Sequence, residues 1–173
     1  NYDKALDELE ISRKKLENSG FKLALGETLI YLGKLYTEVD EEKSKEAIEK
    51  DNYQKLEKLL NKAAKYCLAL NRGDIAAWQY NNIGYYKIQH FKDTTNYTVR
   101  MKTIKNFPPG TGQEYRQSTR ELFKKHDSLV KEAKKYLEIA YTLDNKYPKS
   151  ERSQKIYNNL KFADWVCNFI EQK

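Results

Sequence analysis

Apolar residues recur every three or four positions along almost the whole chain, the period of an amphipathic helix. Tyr2, Ala5, Leu9, Ser12 and Leu16 fall on one face of a first helix that Ser19-Gly20 closes; Leu25, Leu29, Leu32 and Tyr36 mark a second. A third helix, over about residues 41–71, carries Leu56, Leu60, Ala63, Cys67 and Leu70 and stops at Asn71-Arg72-Gly73. Its first half, around Asp51-Asn52, is open to being a separate short helix. Asp74 reads as the N-cap of a fourth helix, with Ala77, Tyr80, Gly84, Ile88 and Phe91 aligned. The fifth, over about residues 114–144, aligns Tyr115, Leu122, His126, Leu129, Ala133, Tyr136, Ala140 and Leu143. The sixth opens near Pro148 and shows Ile156, Leu160, Ala163, Cys167 and Ile170. Residues 92–113 lack that period. The expected fold is therefore all-α: about six antiparallel helices in one domain over residues 1–173, with an inserted loop at 92–113.

Composition supports helices and narrows the partners. Among 173 residues only 7 are Gly and 3 Pro, which disfavours a sandwich or barrel. Lys and Arg number 32 against 25 Asp and Glu, a formal charge of +7. The basic pairs Lys14-Lys15, Lys124-Lys125 and Lys134-Lys135 sit beside Glu or Asp, as on solvated helix faces, so no nucleic acid is expected. No apolar run approaches the ~18 residues of a membrane span. Cys67 and Cys167 are 100 positions apart, without metal or CxxC spacing, and both lie in apolar stripes, which favours buried thiols over a disulfide. No signal-type segment opens the chain. Because it begins at Asn1 rather than Met, a removed leader, anchor or domain is one expectation. The compartment stays open between the cytoplasm and the soluble part of a cell-envelope protein.

The chain also repeats itself. Tyr80-Asn81-Asn82-Ile83-Gly84 and Tyr157-Asn158-Asn159-Leu160-Lys161 are near copies, and Leu29-Ile30-Tyr31-Leu32-Gly33 is similar to both. The preceding segments match as well: Ala64-Lys65-Tyr66-Cys67-Leu68-Ala69-Leu70 and Ala133-Lys134-Lys135-Tyr136-Leu137-Glu138-Ile139-Ala140. Small residues among Leu and Tyr let two helices approach closely and a third dock on the pair. On these residues the chain resembles the tetratricopeptide (TPR) family: Leu32, Gly33 and Tyr36, then Ile83 and Gly84, then Leu160 match first helices, while Ala63, Cys67 and Leu70, then Ala133, Leu137 and Ala140, match second helices. The likeness runs from Leu25 onward. The family period is about 34, whereas Gly33 to Gly84 is 51 and Ile83 to Leu160 is 77, so one second helix is extended and one hairpin carries a long insertion.

The resemblance implies a TPR-like α-solenoid of stacked antiparallel hairpins, with a concave groove lined by first helices that binds a peptide or another protein. Tyr31 and Lys34, then Asn81, Asn82 and Tyr85, then Lys155, Asn159 and Phe162 would line it. Asn amides suit an extended backbone and Lys suits a carboxylate. The expected function is a protein-protein interaction scaffold without turnover. The alternatives are a ligand-responsive TPR regulator, whose effector domain would precede Asn1, and a helical ribonuclease.

Enzyme chemistry finds little support. Phe107-Pro108-Pro109-Gly110-Thr111-Gly112-Gln113-Glu114 has the outline of a phosphate loop, but Phe107, Gln113 and Glu114 stand where that loop needs Gly, Lys and Ser or Thr. Arg120 followed by His126 resembles the ribonuclease motif of the HEPN family. Six residues place the two roughly 240° apart around a helix, and packing of His126 is the preferred reading. His90 reads as a partner of the terminal carbonyls of its helix. No His, Asp, Glu or Cys set has ligand spacing, so neither a metal nor a cofactor is expected. The loop at 92–113 contains Val99-Arg100-Met101-Lys102-Thr103-Ile104-Lys105, open to a short β-hairpin, an extended flap or an excursion without a role, and Asn96-Tyr97-Thr98 fits a glycosylation sequon. The 14 Tyr and 2 Trp exceed what narrow stripes can bury; wide helix seams absorb most, and a binding surface would use the rest.

Overall fold

A computed structural model describes residues 2–22, 24–31, 50–69 and 71–172. Among these the protein is all-helical, with no strand. The helices are α1 (Tyr2–Glu17), α2 (described over residues 24–31), α3 (Lys50–Ala69), α4 (Gly73–Thr94), α5 (Tyr97–Asn106), α6 (Gln113–Lys125), α7 (Asp127–Asp144) and α8 (Glu151–Glu171). Leu32, Gly33, Lys34, Tyr36, Leu70 and the first part of the expected third helix, 41–49, lie outside the described residues.

Eight helices instead of about six arise at two places. Residues 92–113 are not a loop, hairpin or flap: α4 runs on to Thr94, α5 occupies Tyr97–Asn106, and α6 begins at Gln113. The inward stripe of α5 is Tyr97, Met101 and Ile104, spaced four and three, which the alternation around Val99 and Met101 conceals. A turn at Thr95-Asn96 separates α5 from α4: the Thr95 hydroxyl donates to the Phe91 carbonyl at 2.7 Å, and Asn96 takes the left-handed φ of 49° that Asn tolerates. Pro108 to Gly112 then turns the chain into α6, the Thr111 hydroxyl donating to the Pro108 carbonyl at 2.8 Å. The second difference is a break at His126 that divides the expected fifth helix into α6 and α7. Neither Gly nor Pro marks it.

Other ends follow side-chain chemistry. Asp74 is not a cap but lies inside the first turn of α4, where the Arg72 guanidinium grips its carboxylate through bonds of 3.0 and 2.9 Å. Ser150 does cap α8, accepting from the Ser153 amide while the Ser153 hydroxyl accepts from the Ser150 amide. That hydroxyl also donates at 3.0 Å to Asp144, the buried last residue of α7, so both ends of the α7–α8 turn share one network.

Packing order follows the partners. Across α3–α4, Tyr53 meets His90 and Glu57 meets Lys87; across α4–α7, Gly84 meets Leu137 and Lys87 meets Glu132; across α7–α8, Asp144 meets Ser153 and Lys134 meets Asp164. Numbers run oppositely at each seam, so these pairs are antiparallel. Between α4 and α8 they run together: Trp78 with Arg152, Asn81 with Asn159, Lys92 with Phe162. α4 and α8 are therefore parallel neighbours, and α3 reaches α7 through Asn61 and Tyr136.

The core has three parts. Leu56, Leu60, Ala64, Cys67, Ala76, Ala77, Tyr80, Ile83, Ala140 and Ile156 join α3, α4, α7 and α8. Ile88, Phe91, Ile104, Phe123, Val130, Ala133, Leu137, Ala163, Val166 and Phe169 join α4 to α8 around the α5–α6 hairpin. A smaller group, Leu25, Leu29 and Ala63, ties α2 to α3, with Leu9 and Leu16 of α1 against it and Glu17 paired to Lys62. Cys67 is buried, Cys167 half-buried, and both are free thiols that burial pushes up in pKa. None of the described helices is long and apolar enough to cross a membrane.

Candidate functional site

Parallel neighbours put equivalent positions side by side, and α4 and α8 do so with chemically useful residues. On α4 the sequence Trp78, Asn81, Asn82, Tyr85 and Lys92 follows helical spacing; on α8, Arg152, Lys155, Asn159 and Phe162 follow the same spacing. At one end the Arg152 guanidinium lies 5.4 Å from the Trp78 ring centre. In the middle the Asn159 amide donates to the Asn81 amide oxygen at 3.0 Å. At the other end the Lys92 ammonium lies 4.4 Å from the Phe162 ring and 6.0 Å from that of Tyr97. Burial lowers the Lys92 pKa and Asp93 opposes the shift, while the ring faces of Phe162 and Tyr97 lie within cation–π reach of the ammonium.

The expected groove residues meet different fates here. Asn81 is only 2% exposed and is joined to Asn159, so this pair fastens α4 to α8 instead of standing free. Asn82 is half-buried and donates weakly to Gln79 at 3.4 Å. Tyr85 is 38% exposed and meets Tyr86 edge-on at 5.5 Å. Lys155 is exposed, and Phe162 is half-buried, edge-on to Tyr97 of α5 at 5.2 Å. Tyr31 is exposed on a separate helix, α2, and Lys34 lies outside the described residues.

Trp78, Lys92 and Arg152 belong to the same face, and sequence reasoning missed them. Their signal was present in the seven-residue steps from Trp78 to Tyr85 and from Arg152 to Asn159. Lys92 fell within the segment read as a loop.

The remaining candidates separate. Arg120 lies over the Phe169 ring at 5.4 Å, whereas His126 sits at the α6–α7 break and its charge bears on His90, so the two have different neighbours. His90 does not serve the carbonyls of its helix end; it stacks on Tyr53 with ring centres 4.8 Å apart and planes within 2°. The phosphate-loop outline is a turn: Phe107 packs across Gly112, where an added Cβ would fall 2.5 Å from the ring. Among the described residues no group of three or more His, Cys, Asp or Glu could hold a metal. Set against family models, curated proteins and solved structures, the chain finds no match.

Proposed function

We propose that the chain is a binding scaffold of stacked, TPR-like helix hairpins that holds an extended segment of another protein along the α4–α8 face, without turnover. The observation that carries this is the parallel registration of α4 and α8. In this reading α4 and α8 are first helices of successive hairpins lying side by side, and α3 and α7, the second helices that follow α2 and α4, form the other layer.

The chemistry of the face suits a chain with acidic groups. Trp78, Tyr85 and Phe162 offer apolar area with little rotamer entropy to lose. Asn82 offers amide hydrogen bonds to an extended backbone, and Lys155 and Arg152 attract carboxylates. The bonded Asn81–Asn159 pair acts as a spacer that fixes the separation of the two helices.

A displayed peptide library selected against the full chain tests this. Enriched peptides should carry Asp, Glu or a free C-terminal carboxylate beside an apolar residue. Tyr85→Ala combined with Lys155→Glu should weaken their binding by about tenfold or more, since removing an aromatic anchor and reversing a charge each cost about 1 kcal/mol or more at an interface. Retained affinity in that variant, with helicity intact, would reject the face.

A further inference from the structure

A second site lies away from this face, between α3, α4 and α7. A cavity of about 260 Å³ opens there, lined by Tyr53, Leu56, Glu57, Tyr86, Lys87 and Glu132 among others, with Ile83, His90 and Leu129 completing its wall. The cavity is slightly smaller than the ~300–1,000 Å³ typical of sites for drug-sized ligands.

The polar groups within it are unusually committed. Lys87, only 13% exposed, bonds Glu57 at 2.8 Å and Glu132 at 2.7 Å. The other oxygen of Glu57 accepts at 2.8 Å from the Tyr136 hydroxyl, which in turn accepts from the Asn61 amide at 3.0 Å. Burial pulls the Lys87 pKa down, but the two carboxylates outweigh it and hold the ammonium above its ordinary value. Burial lowers His90 below the usual imidazole range, which keeps it neutral at pH 7. One ammonium against two carboxylates leaves the cavity with a net negative charge. Lys87 is the one strongly buried member; Glu57 is 30% and Glu132 51% exposed, so the carboxylates line the mouth of the cavity and remain reachable by a ligand.

The geometry points to a small organic cation as the occupant, an amine with an aromatic or aliphatic body. Glu57 gives one oxygen to Lys87 and the other to Tyr136, so Glu132, which gives Lys87 a single oxygen and is 51% exposed, has acceptor capacity left for an incoming ammonium. Leu56, Ile83 and Leu129 offer apolar contact for the body, and the stacked Tyr53–His90 pair and Tyr86 offer aromatic surface. An anion would meet the net negative charge, and a neutral ligand would bring no charge to match the remaining acceptor capacity of Glu132.

Calorimetric titration of the full chain with phenethylamine, phenethyl alcohol and phenylacetate tests this occupant. The amine should bind saturably at this site, and the alcohol and the acid should not. Glu132→Gln removes the charge at a half-exposed position and should weaken the amine by about tenfold, the loss expected for a charge-assisted hydrogen bond. Leu129→Phe fills the cavity and should abolish binding while far-UV circular dichroism stays unchanged. Equal heats for amine and alcohol, no saturable binding of the amine, or amine binding indifferent to Glu132→Gln would overturn the site. Peptide capture on the α4–α8 face is independent of all three results, so the two proposals fail separately.

Discussion

At Gly84 the α4 backbone lies directly against α7, and replacing it with Ala measures how tight that seam is. A Cβ at this position would fall 2.6 Å from Cγ and 2.9 Å from Cδ2 of Leu137, and 3.1 Å from the Ala133 carbonyl oxygen. Leu137 is fully buried, so its branch point has nowhere to go, and the carbonyl belongs to the α7 backbone. Overpacking of this kind costs about 1–3 kcal/mol. Ala in a helix interior recovers about 1 kcal/mol relative to Gly. Because contacts below 3 Å belong at the upper end of the penalty, Gly84→Ala should lose about 1–2 kcal/mol net, or about 2–8 °C in Tm for a chain of this size. Urea melts followed by far-UV circular dichroism give the value directly, with the slope expected to stay constant. The decisive arm is Leu137→Ala, which alone should cost about 2–5 kcal/mol. In that background the added methyl has space, so Gly84→Ala should become neutral or stabilising by about 1 kcal/mol. An equal penalty in both backgrounds, or a gain in the parent chain, would refute the close seam.

Two further outcomes follow from the geometry. Asp144→Ala removes the buried acceptor of Ser153 and of Lys149 and should cost about 1–3 kcal/mol in thermal melts, whereas Lys149→Ala, at the exposed end of the same network, should cost less than about 1 kcal/mol; equal effects would mean that the α7–α8 turn does not depend on the carboxylate. For His90, burial dominates, Lys87 on its own helix and His126 at the α6–α7 break reinforce the lowering, Asp93 opposes it, and Tyr53 covers it from α3, so the folded imidazole holds a proton less well than the unfolded one. Stability is then full above the unfolded value of about 6.5 and falls as pH drops toward the lower folded value; His90→Gln should flatten that part of the profile, and an unchanged slope in urea midpoints would sink the assignment.

The parts of the fold legible in the sequence were those governed by short-range period. The stripes of α3, α4, α7 and α8 run with buried residues such as Leu56, Ile88, Ala140 and Ile156, and each was readable because core contact requires the repeat. α5 was hidden because a stripe of only Tyr97, Met101 and Ile104 is too short to outweigh the apparent alternation beside it. The break at His126 had no Gly or Pro to announce it. For the site, the stripe positions on α4 and α8 were legible, but the bonding of Asn81 to Asn159 was not, since the partners are 78 residues apart. The Lys87 cluster was invisible for the same reason: Glu132 is 45 residues from Lys87, and Tyr136 is 79 from Glu57. Helical spacing reveals which side a residue takes, and tertiary approach decides whom it meets.

α4 contributes Ala76, Ala77, Tyr80 and Ile83 to one of the two large cores and Ile88 and Phe91 to the other. A helix that serves as a common wall cannot open for one room alone. Amide protons along its middle should therefore be the last to exchange, and only through global unfolding, while those of α1, held through the small Leu25–Leu29–Ala63 group, should exchange first.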